Sequence, residues 1–434
     1  MKPIKIVAVL GIMLALWISS VFVYVLIAER QNIRDSAIRE VSSKWGNSQE
    51  VTGPYISVPY KEVITRIINN EERVYTENSF LYILPAKLNI KGELLPEQRQ
   101  RGIYDIVVYE SDLHFSGNFN SINLDNIDID PELLQWDKAT LNFGMSDLRG
   151  IQNELKVKWN NNEHFFNPGI SSEELAFNGV SVPVSFNNED KHSFDIKLNL
   201  NGSKKIYFEP IGKVTSVNLK SSWSSPKFCG EFLPKERNVD DNGFTANWKV
   251  HHLNRNYPHY WIESSNKDSG VNGITSSRFG VELLLPIDNY RKTSRVSKYA
   301  ILIIVLTFVS FLLQEIMQKR QINPIQYLLV GLALIIFYTL LLSFSEHMVF
   351  DLAYLLAMVL TISLICTYVG AILKSKRFGL LTAGVLTIVY GFIFVIIQLE
   401  NYALLVGSLG LFIILGLIMY VTRNIDWNDI SSIK

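Results

Sequence analysis

Cysteine is nearly absent. Cys229 and Cys366 are the full complement. The first falls in a polar, strand-rich region and the second in a long apolar run, so they cannot pair with each other. A domain around Cys229 must hold together through its own core rather than a disulfide, and Cys229 reads as a small buried apolar residue. Net charge is missing as well: 41 Lys and Arg offset 41 Asp and Glu, which argues for no nucleic-acid partner. There is no dinucleotide fingerprint, phosphate loop or nucleophile elbow. The histidines of "HHLNRNYPHYW" (His251, His252 and His259) lack an acid or cysteine at ligand spacing and read as a surface loop rather than a metal site. No cofactor, metal or catalytic residue is expected.

Charge is scarce in particular places. Residues 6–27 form a run of 22 without charge, and a helix of about 20 apolar residues crosses a bilayer core of about 30 Å. Five further runs follow tyrosine 299, at 299–313, 325–345, 352–373, 378–399 and 402–422. The run at 299–313 is short. It reaches span length only if Glu315 and Gln318 lie near an interface and Lys319 snorkels. The expected fold is a membrane α-helical bundle of six spans plus a large all-β domain between spans one and two. Residues 1–27 are expected as amino terminus and uncleaved signal anchor, since the apolar core exceeds the 7–15 residues of a signal peptide. Residues 28–298 are then the β domain, and residues 299–434 five helices and a tail.

Lys and Arg in short loops set orientation. Lys2, Lys5, Lys319, Arg320, Lys374, Lys376, Arg377 and Arg423 all fall on one side if six spans alternate. The other short loops carry Glu346, His347, Asp351 and Glu400. Both termini are therefore expected in the cytoplasm and the β domain outside. Arg30, Arg34, Arg291, Lys292, Arg295 and Lys298 flank that domain against the rule, but long domains are exported largely regardless of charge.

Ile33, Ala37, Ile38 and Val41 recur at helical spacing and predict that span one continues outward as an amphipathic helix until Gly53-Pro54. Strands follow. "SFLYILPAKLNIKGEL", "IYDIVVYESDLHFSGNFN" and "HSFDIKLNLNGSKKIYFEPIG" alternate apolar and polar, and Asn201-Gly202 reads as a hairpin turn. The pattern predicts antiparallel sandwich layers, in two lobes. "RGI" occurs at both 101–103 and 149–151 and reads as coincidence or a bulge glycine.

The order "FCGEFLPKERNVDDNGFTANW", "SKYAILIIVLTFVSFLLQE", "NPIQYLLVGLALIIFYTLLLSFSEHMVFDLAYLLA" and "YALLVGSLGLFIILGLIMYVTRNIDW" closely resembles the bacterial inner-membrane CreD family. "GPYISVP", "RGIY" and "SDLRGI" fit it in matching order. Asn323 stands before Pro324 where the family pattern leads one to expect His. The resemblance implies an inner-membrane protein linked to the CreBC two-component envelope-stress regulator, to envelope integrity, and to altered tolerance of colicins and β-lactams. It brings no accepted biochemical activity.

Two polar sets stand out. Ser345, Glu346, His347, Asp351 and Glu400 fall at outer span ends. They could bind a cation, relay protons or meet a headgroup, or merely mark where helices reach water. Three consecutive residues cannot form a nucleophile–base chain on a helix, because their side chains diverge by about 100° per step. On the inner side lie Glu315, Gln326, Arg423 and Asp426, with Gln314 and Asn323. Glu315 is expected to be the most buried acid and to pair with Arg423. Gly379, Gly384, Gly391, Gly407, Gly410 and Gly416 are expected to serve close helix packing. The expected function is non-enzymatic. The β domain binds an envelope protein or a peptidoglycan or lipid component, and the helices anchor it in the bilayer. The alternative is a membrane-surface enzyme or proton-coupled transporter using Glu346, His347 and Glu400.

Overall fold

The computed structural model describes residues 3–68, 71–126, 130–172, 174–263, 271–285, 289–318, 322–399 and 402–423. Contacts divide the chain into two units. One is Met1–Asp35 with Ile287–Lys434, and the other is Ser36–Pro286.

The helices are α1 (Pro3–Trp45), α2 (Val271–Ser276), α3 (Asn289–Ser297), α4 (Ala300–Gln318), α5 (Pro324–Ser345), α6 (Phe350–Ile372), α7 (Lys376–Gln398) and α8 (Ala403–Thr422). Five of them, α1 and α5 to α8, are long and apolar enough to cross a membrane. The helices α3 and α4 meet at 44°, and the count becomes six if this bent pair is taken as one span. This is the run that looked short. In it α4 continues through Glu315 to Gln318, and span length is counted only when α3 is taken with it.

Asn323 starts α5. Its side chain accepts from Ile325 N at 3.2 Å, and its own N–H donates to Gln326 Oε1 at 2.9 Å. With Pro324 at the first position this is a capping box, which satisfies amides a helix start leaves orphaned. Phe337 anchors the bundle core, 4.5 Å from the Tyr390 ring and 5.5 Å from that of Tyr354. Close packing explains two of the glycines. A Cβ at Gly379 would come within 2.8 Å of Cys366 O, and one at Gly410 would strike the Phe392 ring. Gly384, Gly391 and Gly416 have nothing within 4 Å, and Gly407 only a side-chain tip at 3.9 Å. The packing expectation therefore fails at these four, which lie on open faces of α7 and α8.

In the second unit the strands are β1 (Gln49–Ile68), β2 (Glu71–Ile83), β3 (Lys87–Arg101), β4 (Tyr104–Phe119), β5 (Thr140–Met145), β6 (Lys156–Trp159), β7 (Asn162–Phe165), β8 (Asn167–Pro168) and β9 (Gly179–Pro183). They continue as β10 (His192–Ser203), β11 (Lys205–Phe208), β12 (Val214–Ser221), β13 (Pro226–Gly230), β14 (Glu236–Asp240), β15 (Gly243–His251), β16 (Tyr260–Ile262) and β17 (Phe279–Leu283). Among the described residues they build two sheets. The first runs β13-β17-β11-β1-β5-β9-β8, with β2 bridging β1 and β16; the second runs β14-β15-β12-β3-β4-β10-β6-β7. Buried residues of both sheets form one core cluster, including Tyr55, Leu88, Phe115, Phe143, Ile196 and Trp248. Among the described residues this core is shared by both sheets and is not divided into the expected two lobes.

Most pairings are antiparallel, but β1–β11 and β3–β12 are parallel. Alternation along a strand encodes its faces, not the direction of its neighbour. The Asn-Gly hairpin is also overturned. Asn201 and Gly202 continue β10 opposite Glu110 and Tyr109. The chain changes sheet at Lys204, which takes φ +61°. Gly202 is needed for another reason: a Cβ there would overlap the Tyr109 ring.

The helical extension predicted by Ile33 to Val41 is present and ends earlier than expected, at Gly46 with φ +145°. Ile38 packs with Ile106 and Val108 of β4. Trp45 Nε1 donates to Tyr109 O at 3.3 Å.

Candidate functional site

Some of the polar residues expected at the outer span ends are reached by α3, a helix the sequence reading left among the domain flanks. Asn289 Nδ2 donates to Ser345 O at 2.7 Å and to Met348 O at 3.2 Å, covering carbonyls that the end of α5 leaves unpaired. Tyr290 Oη donates to Glu346 Oε1 at 3.0 Å, and Arg30 Nε lies 3.9 Å from the same oxygen. Asp351, in the first turn of α6, accepts from Gln398 Nε2 at 2.7 Å. Lys292 Nζ in turn donates to Gln398 Oε1 at 3.3 Å.

Glu346 and Asp351 thus have separate partners. Ser345 is buried and donates back to Leu342 O at 2.9 Å, with Thr293 Oγ1 donating to its hydroxyl from 3.4 Å. A hydroxyl held this way is not poised as a nucleophile. His347 is exposed. Glu400 lies outside the described residues.

The inner set divides differently from expectation. Glu315 is 2% exposed and forms an ion pair with Lys5, while Tyr327 Oη donates to its other oxygen at 3.1 Å. Lys5 replaces the expected Arg423, which is exposed just after α8. A buried carboxylate needs its cation in direct contact, and α1 brings one. Gln326 is committed to the α5 cap. Gln314 Nε2 donates to Thr382 Oγ1 at 3.0 Å, tying α4 to α7. Asp426 lies outside the described residues.

A family model described as "Inner membrane protein CreD" matches residues 2–428. The chain belongs to the CreD family. Inner membrane protein CreD of Escherichia coli (strain K12) is 31% identical to it over 430 residues, covering 98% of this chain and 94% of that protein. With its apolar helices, this CreD-family chain is a multi-pass inner-membrane protein carrying a large mixed β domain.

Sequence reasoning missed a concavity on that domain. A groove of about 470 Å³ lies over the solvent face of the second sheet. The strand register lays two polar rows across it. One row is Ser116, Asn89, Ser216 and Lys249; the other is Lys91, Asn218, Asn247 and Glu236. Lys235 completes one wall. The signal was present as polar residues at period two in "KLNIKGEL" and "TSVNLKSSW". Which strands lay side by side was not legible, so the rows were not.

Other CreD-domain residues are structural. Asp147 of "SDLRGI" accepts from Asn47 N at 3.0 Å and from Arg149 Nη2 at 2.8 Å, and a Cβ on Gly150 would collide with Asn201 O. This "RGI" is a packing hub, whereas Gly102, at φ +65°, sits in the open turn between β3 and β4. Burial, then the adjacent Arg255, pushes His259 down to about 4, so its ring is neutral. Among the described residues no three His, Cys, Asp or Glu converge as a metal site. Cys229 is half-buried rather than buried, with Sγ 3.2 Å from Tyr207 Oη.

Proposed function

We propose that this protein is an envelope-binding, membrane-anchored component of the cell-envelope stress response, working with the CreBC two-component system, and not an enzyme. In this reading the termini lie in the cytoplasm and the β domain in the periplasm. The groove on the second sheet binds a hydroxyl-rich, anionic envelope polymer of the peptidoglycan kind.

The groove's lining carries the argument. Asn89, Asn218 and Ser216 offer donors and acceptors at fixed sheet spacing. Lys91, Lys235 and Lys249 outnumber Glu236 and favour carboxylates. The competing reading, catalysis or proton-coupled transport at Glu346, His347 and Glu400, is less well supported. Glu346 is held by Tyr290 and Arg30, and Asp351 by Gln398.

The test is co-sedimentation of the detergent-solubilised full chain with purified peptidoglycan sacculi. The parent is expected to pellet with the sacculi, and Lys91→Ala/Lys235→Ala/Lys249→Ala to stay largely in solution at unchanged thermal stability. Equal pelleting of the two proteins would discard the groove as the binding surface.

A further inference from the structure

Within the β domain, buried oxygens without hydrogen-bond partners gather beside a pair of carboxylates. They are Glu174 Oε2 and the hydroxyls of Tyr82 and Tyr55. Tyr55 is 1% and Tyr82 0% exposed, and their rings lie 6.3 Å apart. The Tyr82 hydroxyl sits beside Ser172, yet it meets no described residue at hydrogen-bonding geometry. Charge on Glu174 acts on both hydroxyls, and charge on Glu263 acts on that of Tyr82.

Segments far apart in the chain build this place. Pairing of β16 with β2 sets Trp261 opposite Tyr82, with ring centroids 5.4 Å apart. Just beyond β16 the backbone fixes Glu263. Its N–H donates to Phe80 O at 2.8 Å, and its carbonyl accepts from Ser79 Oγ at 3.2 Å. The connection between β8 and β9 brings in Ser172 and Glu174. Ser172 Oγ donates to Glu263 Oε1 at 2.6 Å and accepts from Glu174 N at 3.3 Å. Trp261 Nε1 donates to Glu174 Oε1 at 3.2 Å, which leaves Oε2 over. Burial first, and the charge of Glu263 with it, push the Glu174 carboxyl above its ordinary value against the Trp261 hydrogen bond. Among the described residues no Lys or Arg pairs with either acid. Anionic groups withdrawn from water need a cation in contact.

We infer that Glu174 and Glu263, with the Tyr82 hydroxyl beside them, bind a divalent cation of the calcium type. The donors are all oxygen, which selects a hard cation over the softer metals that histidine and cysteine hold. Calcium accepts carboxylate, carbonyl, hydroxyl and water oxygens in flexible geometry, so two acids suffice where a nitrogen and sulfur site would need more protein ligands. Two negative charges match one divalent ion. The ion would tie the β8–β9 connection to the end of β16. The inference is independent of what the β-domain groove binds.

The experiment uses the full chain in detergent, stripped with chelator and titrated with terbium, a calcium substitute whose luminescence is excited through a nearby indole. The parent should give a saturable signal that calcium displaces, with half-effect at roughly 0.1–1 mM as in extracellular calcium modules. Calcium should also raise its melting temperature, because a ligand of the folded state stabilises it. Glu174→Gln/Glu263→Gln should weaken calcium binding by about tenfold or more, since affinity follows the number of ligand charges. It should melt like the parent in chelator and lose the rise with calcium. The single Glu174→Gln, whose amide oxygen still accepts from Trp261, should move the same way and serves if the double variant does not fold. Trp261→Phe should lose most of the luminescence. Glu189→Gln/Asp190→Asn, on an exposed turn, should leave signal and melting unchanged. The inference is overturned if the parent gives no saturable signal or one that calcium does not displace. It is equally overturned if the Gln variants bind calcium like the parent, if Trp261→Phe keeps full luminescence, or if the Glu189 and Asp190 changes alone abolish binding.

Discussion

At Glu209, just after β11, a carboxyl is 3% exposed and its Oε2 has no hydrogen-bond partner among the described residues. Burial pushes it from 4.5 up to about 8. The folded chain therefore holds a proton that the unfolded chain releases above about pH 4.5. Stability from this group is full below that pH and is lost as pH rises toward about 8. Denaturant unfolding between about pH 6 and about pH 8 should show the parent losing on the order of 1 kcal/mol per pH unit through this group. Glu209→Gln should flatten that slope. Parallel profiles for the two proteins would remove Glu209 as its source. Nothing in "YFEPIG" announces this. An acid after a strand reads as a solvent-facing turn until both sheets close over it.

Among the elements, α3 has the largest consequence for its length. Asn289→Ala should destabilise the helical unit by roughly 1–2 kcal/mol, because two carbonyls lose a donor at about 1 kcal/mol each. Thermal unfolding in detergent reads this directly, and an unchanged midpoint would mean that water replaces the amide. The apolar runs made α5 to α8 legible almost to the residue, since a bilayer demands unbroken apolar length. The periods of β3, β4 and β10 were legible for a similar reason, as each buries Leu88, Phe115 or Ile196 on one face. The β10–β11 connection was misread because Asn201-Gly202 has hairpin chemistry, yet Gly202 is occupied in making room for Tyr109. The turn falls instead on Lys204, a residue with no turn preference of its own.

For the whole molecule, the Lys and Arg of the short loops predict the orientation. In a Cys229→Ser/Cys366→Ser background, a cysteine replacing the 83% exposed Phe177 should react with an impermeant maleimide from the periplasmic face. Ser375→Cys should react only in inside-out vesicles. The opposite pattern would reverse the topology and place the groove in the cytoplasm.

The sequence by itself determined that this chain spans a membrane several times and carries a strand-rich domain after its first helix. Both properties follow from one-dimensional patterns: apolar length for a span, and period two for a strand. The tertiary structure decided what those patterns leave open. It chose Lys5 over Arg423 for Glu315, set Tyr290 against Glu346, aligned β3 with β12 in parallel, and buried Glu209. Each is a meeting of residues far apart in the chain, selected by which partner could be brought into contact as water was excluded.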